Sequence, residues 1–279
     1  MGMRVNIWGA RGSLSDSGPE HARYGGNTSC VEVEGEGGTI LVLDAGTGAR
    51  KLGNKLSTAK KVDVLLTHFH MDHIQGLGFF GPMFNPECKV TIWGPPSTTL
   101  SMHDRLTRYL SPPLFPLRIR DFDCQWELRD APRGEFEIGE FELKADLVSH
   151  PNPTMGYRIS NGGGAMAYLP DHEVALGNDW FPDEPEWTSG YEIAKGVDLL
   201  IHDTQYLDEE YPGHVGWGHS TTSQSIQFAK LAEVSRLVTF HHDPAHDDAA
   251  IDHVVFAARE QAAGQVEVIG GAEGGTFEV

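Results

Sequence analysis

An apolar run, Val62–Leu66, leads directly into His68-Phe-His-Met-Asp-His73. The run is short and rich in Val and Leu, so it reads as a strand ending in a loop, and loops at strand ends commonly carry sites. Four ligand-type side chains within six positions are rarely just a hydrated polar loop. Alternate residues of an extended chain point the same way. His68 and His70 therefore reach one point together while Phe69 faces away. Asp72 and His73, past the turn, aim at a second point nearby. Imidazole and carboxylate ligands suit zinc, manganese or iron, and affinity order favours zinc loosely.

The rest of the chain repeats the pattern of short strands. Met3–Trp8, Ser29–Glu34, Thr39–Leu43 and Lys89–Trp93 precede or follow the cluster, bounded by Gly, Pro, Asn or Asp. Phe136–Ile138, Phe141–Ser149, Met155–Ser160, Ala165–Leu169, Val197–His202, Arg236–Phe240 and Val266–Ile269 read as strands in the second half. Asn161-Gly162-Gly163-Gly164 joins two of them as a hairpin turn, not a phosphate loop, because no helix follows it. Helices are expected over Ser97–Leu110, from Thr222 to about Val234 behind a Thr221/Gln224 capping box, and from Asp248 to about Ala263 before Gly264. Strands followed by helices in both halves predict an α/β chain in an αβ/βα sandwich: two sheets face to face, helices outside. No linker divides the 279 residues, so one domain spanning 1–279 is expected.

Charge narrows the partners. Twenty-one basic against 40 acidic residues leave a net charge of −19, which repels polyanions. Long nucleic acids and anionic membranes are poor partners for such a surface. Cys30, Cys88 and Cys124 are scattered and form no Cys-x-x-Cys pair, which argues against a disulfide framework or a thiolate metal site. No stretch approaches the ~20 apolar residues of a membrane span. The start has no long apolar run of the signal-peptide kind, and the cytoplasm is the default location.

Thr67-His-Phe-His-Met-Asp-His73 resembles the T-H-x-H-x-D-H signature of the metallo-β-lactamase fold hydrolases. The resemblance implies a four-layer αβ/βα sandwich of that type, with further ligands at later strand ends. The chain offers them in order: His150, Asp171 and the pair His241-His242. Position by position, the resemblance implies one divalent ion held by His68, His70 and His150. A second is held by Asp72, His73 and His241, with Asp171 bridging. Neighbouring strand residues point oppositely, so one of His241 and His242 is the ligand, and the count from the apolar strand favours His241. Asp44, in Leu43-Asp-Ala-Gly-Thr-Gly48, matches the family's early structural aspartate. Two close cations can clamp a phosphodiester and polarise a water, so the implied nucleophile is a metal-bound hydroxide.

Leu199-Leu-Ile-His-Asp-Thr204 and Gly218-His-Ser-Thr-Thr222 resemble the ribonuclease Z and phosphodiesterase branch. That branch implies His219, held by Asp203, as the group assisting at the scissile phosphate, and Asp72 counts among its catalytic residues as well as its ligands. His172, His202 and His214 read as core or loop residues instead. Gly9-Ala-Arg-Gly-Ser13, Arg23-Tyr-Gly-Gly-Asn27 and Phe240-His-His-Asp-Pro244 resemble bacterial cyclic-nucleotide phosphodiesterase-like members. No long basic arm for transfer RNA is present, so a small phosphodiester is the expected substrate. Segment 97–122 is the expected substrate lid, with Arg105, Arg108 and Tyr109 as contacts, and Arg11 and Asn27 join them from the first strands. The same segment also suits a contact between two copies, which admits a homodimer. Two rival readings are an acyl hydrolase of lactamase, lactonase or thioesterase type, and a non-catalytic metal- or nucleotide-binding protein.

Overall fold

The computed structural model describes residues 2–279 except 175, 177–180, 182 and 183. Two seven-stranded mixed sheets face one another. The first contains β1 (Met3–Gly9), β2 (Cys30–Gly35), β3 (Ile40–Leu43), β4 (Lys61–Leu65), β5 (Lys89–Gly94) and β6 (Gln125–Asp130). The second contains β7 (Gly134–Ile138), β8 (Phe141–Leu147), β9 (Met155–Ser160), β10 (Ala165–Leu169), β11 (Leu199–Asp203), β12 (Arg236–Phe240) and β13 (Glu267–Gly270). The last strand, β14 (Thr276–Glu278), returns to pair with β1 in the first sheet.

Side-chain patterns follow the coverage of each strand. Every residue of β10 and of β11 is buried, because both faces of these parallel strands are covered. By contrast β8 alternates, with Phe141, Leu143 and Ala145 inward and Glu142 exposed. Leu41 and Leu43 of β3 enter the core between the sheets, where they meet residues such as Tyr157, Tyr168 and Phe240. Val42, between them, faces the opposite layer with Leu52 of helix α1 (Ala49–Lys55). Each fully buried aliphatic side chain of this kind contributes about 1.5–3 kcal/mol of transfer free energy.

The outer face of the second sheet is covered by two helices, Thr222–Leu231 and Asp248–Ala262. The four layers predicted from strand and helix order are therefore present. Thr221 caps its helix reciprocally with Gln224, as the sequence spacing predicts. The second helix ends at Ala263 in a left-handed conformation, one residue before the predicted glycine cap. Among the elements that escaped the sequence reading are α1, the exposed-edge strand β6, the three-residue β14 and the short helices Met71–Ile74 and Tyr191–Ala194.

The predicted Ser97–Leu110 helix contracts to Met102–Leu106. Ser101 caps it by accepting from the Asp104 amide, and the Ser/Thr cluster before that cap favours turns over helix. Met102, Leu106, Leu110, Phe115, Ile119 and Phe122 are buried on the outer face of the first sheet. The segment is thus anchored along most of its length, which differs from a loose flap. No described helix is long and apolar enough to cross a membrane.

The topology gathers the strand ends. Strands β3, β4, β5 and β6 run parallel, as do β10, β11, β12 and β13. Because β8 and β10 are each antiparallel to β9, β8 shares the direction of β10. The carboxyl ends of β3, β4, β8, β10, β11 and β12 then deliver Asp44, the 67–73 loop, His150, Asp171, Asp203 and His241, and ligands of open α/β sheets gather at such carboxyl edges.

Candidate metal centre

Asp44 anchors the first loop. Its left-handed backbone (φ 57°), a conformation Asp tolerates, turns a fully buried carboxylate toward the loop after β4. That carboxylate accepts from the Thr67 amide (2.7 Å), the Thr67 hydroxyl (2.9 Å), His73 Nδ1–H (2.8 Å) and the Tyr168 hydroxyl (3.1 Å). Four donors on one carboxylate satisfy the buried charge and fix both Thr67 and His73.

The same device recurs at three other imidazoles. Thr67 Oγ1, having donated to Asp44, accepts from His68 Nδ1–H (3.1 Å). His150 Nδ1–H donates to the Gly218 carbonyl (2.8 Å), and His241 Nδ1–H donates to Gln205 Oε1 (2.8 Å). Each bond fixes the tautomer and leaves Nε2 with a free lone pair. All four free nitrogens turn toward Asp171. His73 Nε2 lies 3.0 Å, His241 Nε2 3.3 Å, and His68 and His150 Nε2 each 3.8 Å from its carboxylate oxygens.

Two ligand sets result. His68, His70 and His150 bring their donor atoms within 4.8 Å of one another, and so do Asp72, His73, Asp171 and His241. His70 contributes Nδ1, 3.4 Å from His150 Nε2, and is the member open to solvent. Asp72 Oδ2 accepts from the Ser13 amide (2.8 Å) and lies 3.1 Å from His241 Nε2. His68 Nε2, His73 Nε2 and Asp171 Oδ2 are buried without a hydrogen-bond partner. The 3.0 Å approach of the last two is not aligned for one. Three orphaned polar atoms in one place would be costly in a metal-free core. They fit a divalent cation, which accepts lone pairs from nitrogen and oxygen alike.

Electrostatics divide the two sets. Burial holds His68 well below its ordinary pKa, with His73 nearby adding to the effect, and burial brings His150 down to about 4. His70 is lowered for the same reason. Neutral imidazoles are the form a metal takes. At His73, burial opposes charge, but Asp171, Asp72 and Asp44 outweigh it and raise the ring well above its ordinary value. Asp171, though buried, is held well below the carboxylate range by His241, His73 and His68. The carboxylate-rich set therefore calls for positive charge at its centre.

Beside these sets stands His219. Its Nδ1–H donates to Asp203 Oδ2 (2.7 Å), and its ring stacks on His241 with centroids 4.8 Å apart. Burial disfavours the charged ring, yet Asp203 overrides this and raises it to about 9. Asp203 is itself fixed by the amides of His172 and Gln205.

Of the two adjacent histidines, His241 enters the cluster from a left-handed backbone (φ 59°). His242 points away, its Nε2–H donating to the Gly271 carbonyl (2.8 Å), and burial lowers it to about 3. His172 and His202 bond to each other (3.0 Å) in the core, and His214 stacks on Tyr206.

A cleft of about 360 Å³ opens from His68 and His70 between Phe69, Met71, Leu100, Arg105, Arg108, Tyr109 and Leu114. The Arg105 guanidinium lies 4.6 Å from the Phe69 ring centroid. Its Nε has no hydrogen-bond partner, and Asp130 is met only at 3.4 Å. The Tyr109 hydroxyl donates to the Gln75 carbonyl, so its ring rather than its hydroxyl faces the cleft.

Arg11 and Asn27, expected among the substrate contacts, lie elsewhere. Arg11 is buried, with its guanidinium donating to the carbonyls of Gly25, Asp243 and His246. A buried guanidinium needs such acceptors; with His21 Nδ1 (3.2 Å) they engage four of its five N–H donors, and the residue does not line the cleft. Asn27 donates to Glu273 (2.9 Å) and lines a separate surface hollow. Gln205, Tyr168 and Glu173 were missed by sequence reasoning, because their bonds reach residues 36, 124 and 45 positions away.

A four-layer sandwich with two ligand sets at facing strand ends defines a metallo-β-lactamase type of α/β protein. The chain belongs to the beta-lactamase superfamily domain family, whose model matches residues 39–242. It is 26% identical over 252 residues to ribonuclease Z of Thermoplasma acidophilum, spanning 76% of this chain and 80% of that one. Among solved structures, the metallo-β-lactamase fold protein YhfI of Bacillus subtilis superposes with a TM-score of 0.74 at 18% identity, covering 100% of both chains. A diphosphatase of the PhnP family gives 0.69 at 18% identity, covering 100% of this chain and 98% of that one.

Proposed function

We propose that the chain, acting over 1–279 as one unit, is a metal-dependent phosphodiesterase with two divalent ions, zinc first among the candidates, and that it works in the cytoplasm. His68, His70 and His150 would hold one ion and Asp72, His73 and His241 the other, with Asp171 placed to serve both. The observation that carries the ligand assignment is the common orientation of four imidazoles, each anchored through Nδ1 and turned through Nε2 toward one buried carboxylate. When bound, such ions supply an activated water and positive charge for the phosphoryl oxygens.

The chain's own groups supply the rest. His219, protonated and oriented by Asp203, donates its Nε2 proton to the leaving oxygen as the P–O bond breaks. Arg105, above Phe69 and with an unpartnered Nε, neutralises the substrate phosphate at the cleft mouth. Tyr109 and the apolar wall pack against a base or sugar. Removing Arg105 is expected to raise KM by about tenfold with kcat changed far less, since a uniformly used binding contact acts on KM. Steady-state kinetics of Arg105→Ala checks this.

The net charge and the cleft's size favour a small diester, a cyclic nucleotide being the leading choice. The names of ribonuclease Z and of the diphosphatase support phosphoryl over acyl chemistry. So does His219, which acyl hydrolysis does not require. The test is a panel of bis-p-nitrophenyl phosphate, cyclic nucleotides, dinucleotides, a short RNA, nitrocefin and an acyl-lactone. Phosphodiester turnover is expected, and turnover of the acyl substrates alone would contradict the assignment.

Metal counting separates the two neighbouring histidines. His241→Ala is expected to lose about one ion per chain, whereas His242→Ala keeps both and loses stability instead. The opposite order, read by elemental analysis, transfers the ligand role to His242.

A further inference from the structure

Glu173 stands two residues beyond Asp171 and is 1% exposed. Its carboxylate takes three neutral donors: the Tyr211 hydroxyl (2.7 Å) and Gly216 amide (2.8 Å) on Oε1, and the Gly218 amide (2.9 Å) on Oε2. Its own amide donates to the Ser149 carbonyl (2.8 Å), next to His150. Gly216 and Gly218 are both left-handed, at φ 83° and 95°. Gly218 also sits so close to His150 that an added Cβ would lie 2.2 Å from His150 Nδ1. A loop of this kind has no helix or strand to hold it, and a buried carboxylate supplies the fixed acceptor in their place.

We propose that Glu173 is a positioning residue which sets two parts of the centre at once. Through Gly218, whose amide it holds and whose carbonyl accepts from His150 Nδ1–H, it fixes the orientation of His150. Through the same residue it fixes the start of the His219 segment. The inference rests on the metallohydrolase reading above and adds the device that keeps one ligand and the proton donor in register. A glutamine at this position has one acceptor oxygen, so its NH2 group must face at least one of the three donors. That leaves a buried donor unsatisfied and loosens the loop.

The test titrates apo wild type and apo Glu173→Gln with zinc against a competing chelator, then measures turnover of bis-p-nitrophenyl phosphate at saturating zinc. Glu173→Gln is expected to bind one of the two ions about 10–100-fold more weakly, the usual cost of removing a partner behind a ligating histidine. At saturating zinc kcat is expected to fall while KM changes little, because His219 is misplaced. Equal zinc affinity and equal kcat, with only the melting temperature lowered, overturns the proposal and leaves Glu173 a packing residue. A wild type that binds no zinc overturns the metallohydrolase reading itself, and this proposal with it. If Glu173→Gln does not fold, amide hydrogen exchange in wild type decides. The Gly216 and Gly218 amides are expected to be protected, and exchange at unprotected loop rates overturns the proposal.

Discussion

Asp171→Asn is expected to reduce phosphodiester turnover by about a thousandfold or more and to lower the metal content below two ions per chain. Asp171 is 1% exposed and lies within 3.8 Å of the Nε2 atoms of His68, His73, His150 and His241. It therefore meets members of both ligand sets. An amide removes the negative charge and replaces one acceptor oxygen with a donor, while His73 and His241 remain buried around it. Cations held by the native protein stabilise it in proportion to their binding. The variant should therefore lose most of the zinc-dependent rise in melting temperature. Elemental analysis, steady-state kinetics and thermal melts with and without zinc read the three effects together. Full occupancy with near-normal rates would remove Asp171 from the centre.

His219→Ala is expected to lower kcat by about 10²–10⁴-fold, the usual contribution of a positioned general acid. Two ions per chain are expected to remain. His219 also lies within 4.8 Å of His150 and Asp171 through its ring nitrogens, so loss of a metal from this variant would recast it as a ligand. Asp203→Asn is expected to fall by a comparable factor, because Asp203 acts through the 2.7 Å bond to His219 Nδ1. The double variant should be no slower than the slower single one, as residues acting as one unit are strongly non-additive. Independent, multiplying losses would separate the two residues and end the paired account.

Much of this centre is legible in the linear sequence, for identifiable reasons. The 67–73 motif is compact, and each later member stands just past an apolar run, so strand periodicity locates it. Strand alternation alone does not separate His241 from His242, because His241 lies past the end of β12 and turns into the cluster from a left-handed backbone, while His242 is tied to the Gly271 carbonyl. The supports are far less legible. Gln205 and Tyr168 act through single bonds across 36 and 124 residues, and such bonds leave no periodic trace. Arg11 illustrates the opposite error. An arginine beside a glycine-rich turn suggests a phosphate contact, whereas three backbone carbonyls already claim it. Segment 97–122 was visible as unusual, but its prolines and Ser/Thr turns concealed that its apolar residues pack on the first sheet.

The most direct measurement is the metal content of the purified chain, stripped with a chelator and reconstituted, read beside phosphodiester hydrolysis. Two transition-metal ions per chain are expected after reconstitution, with activity lost on stripping and recovered on return of the metal. A reconstituted protein that holds no transition metal, or a stripped one that hydrolyses phosphodiesters at the full rate, contradicts the account.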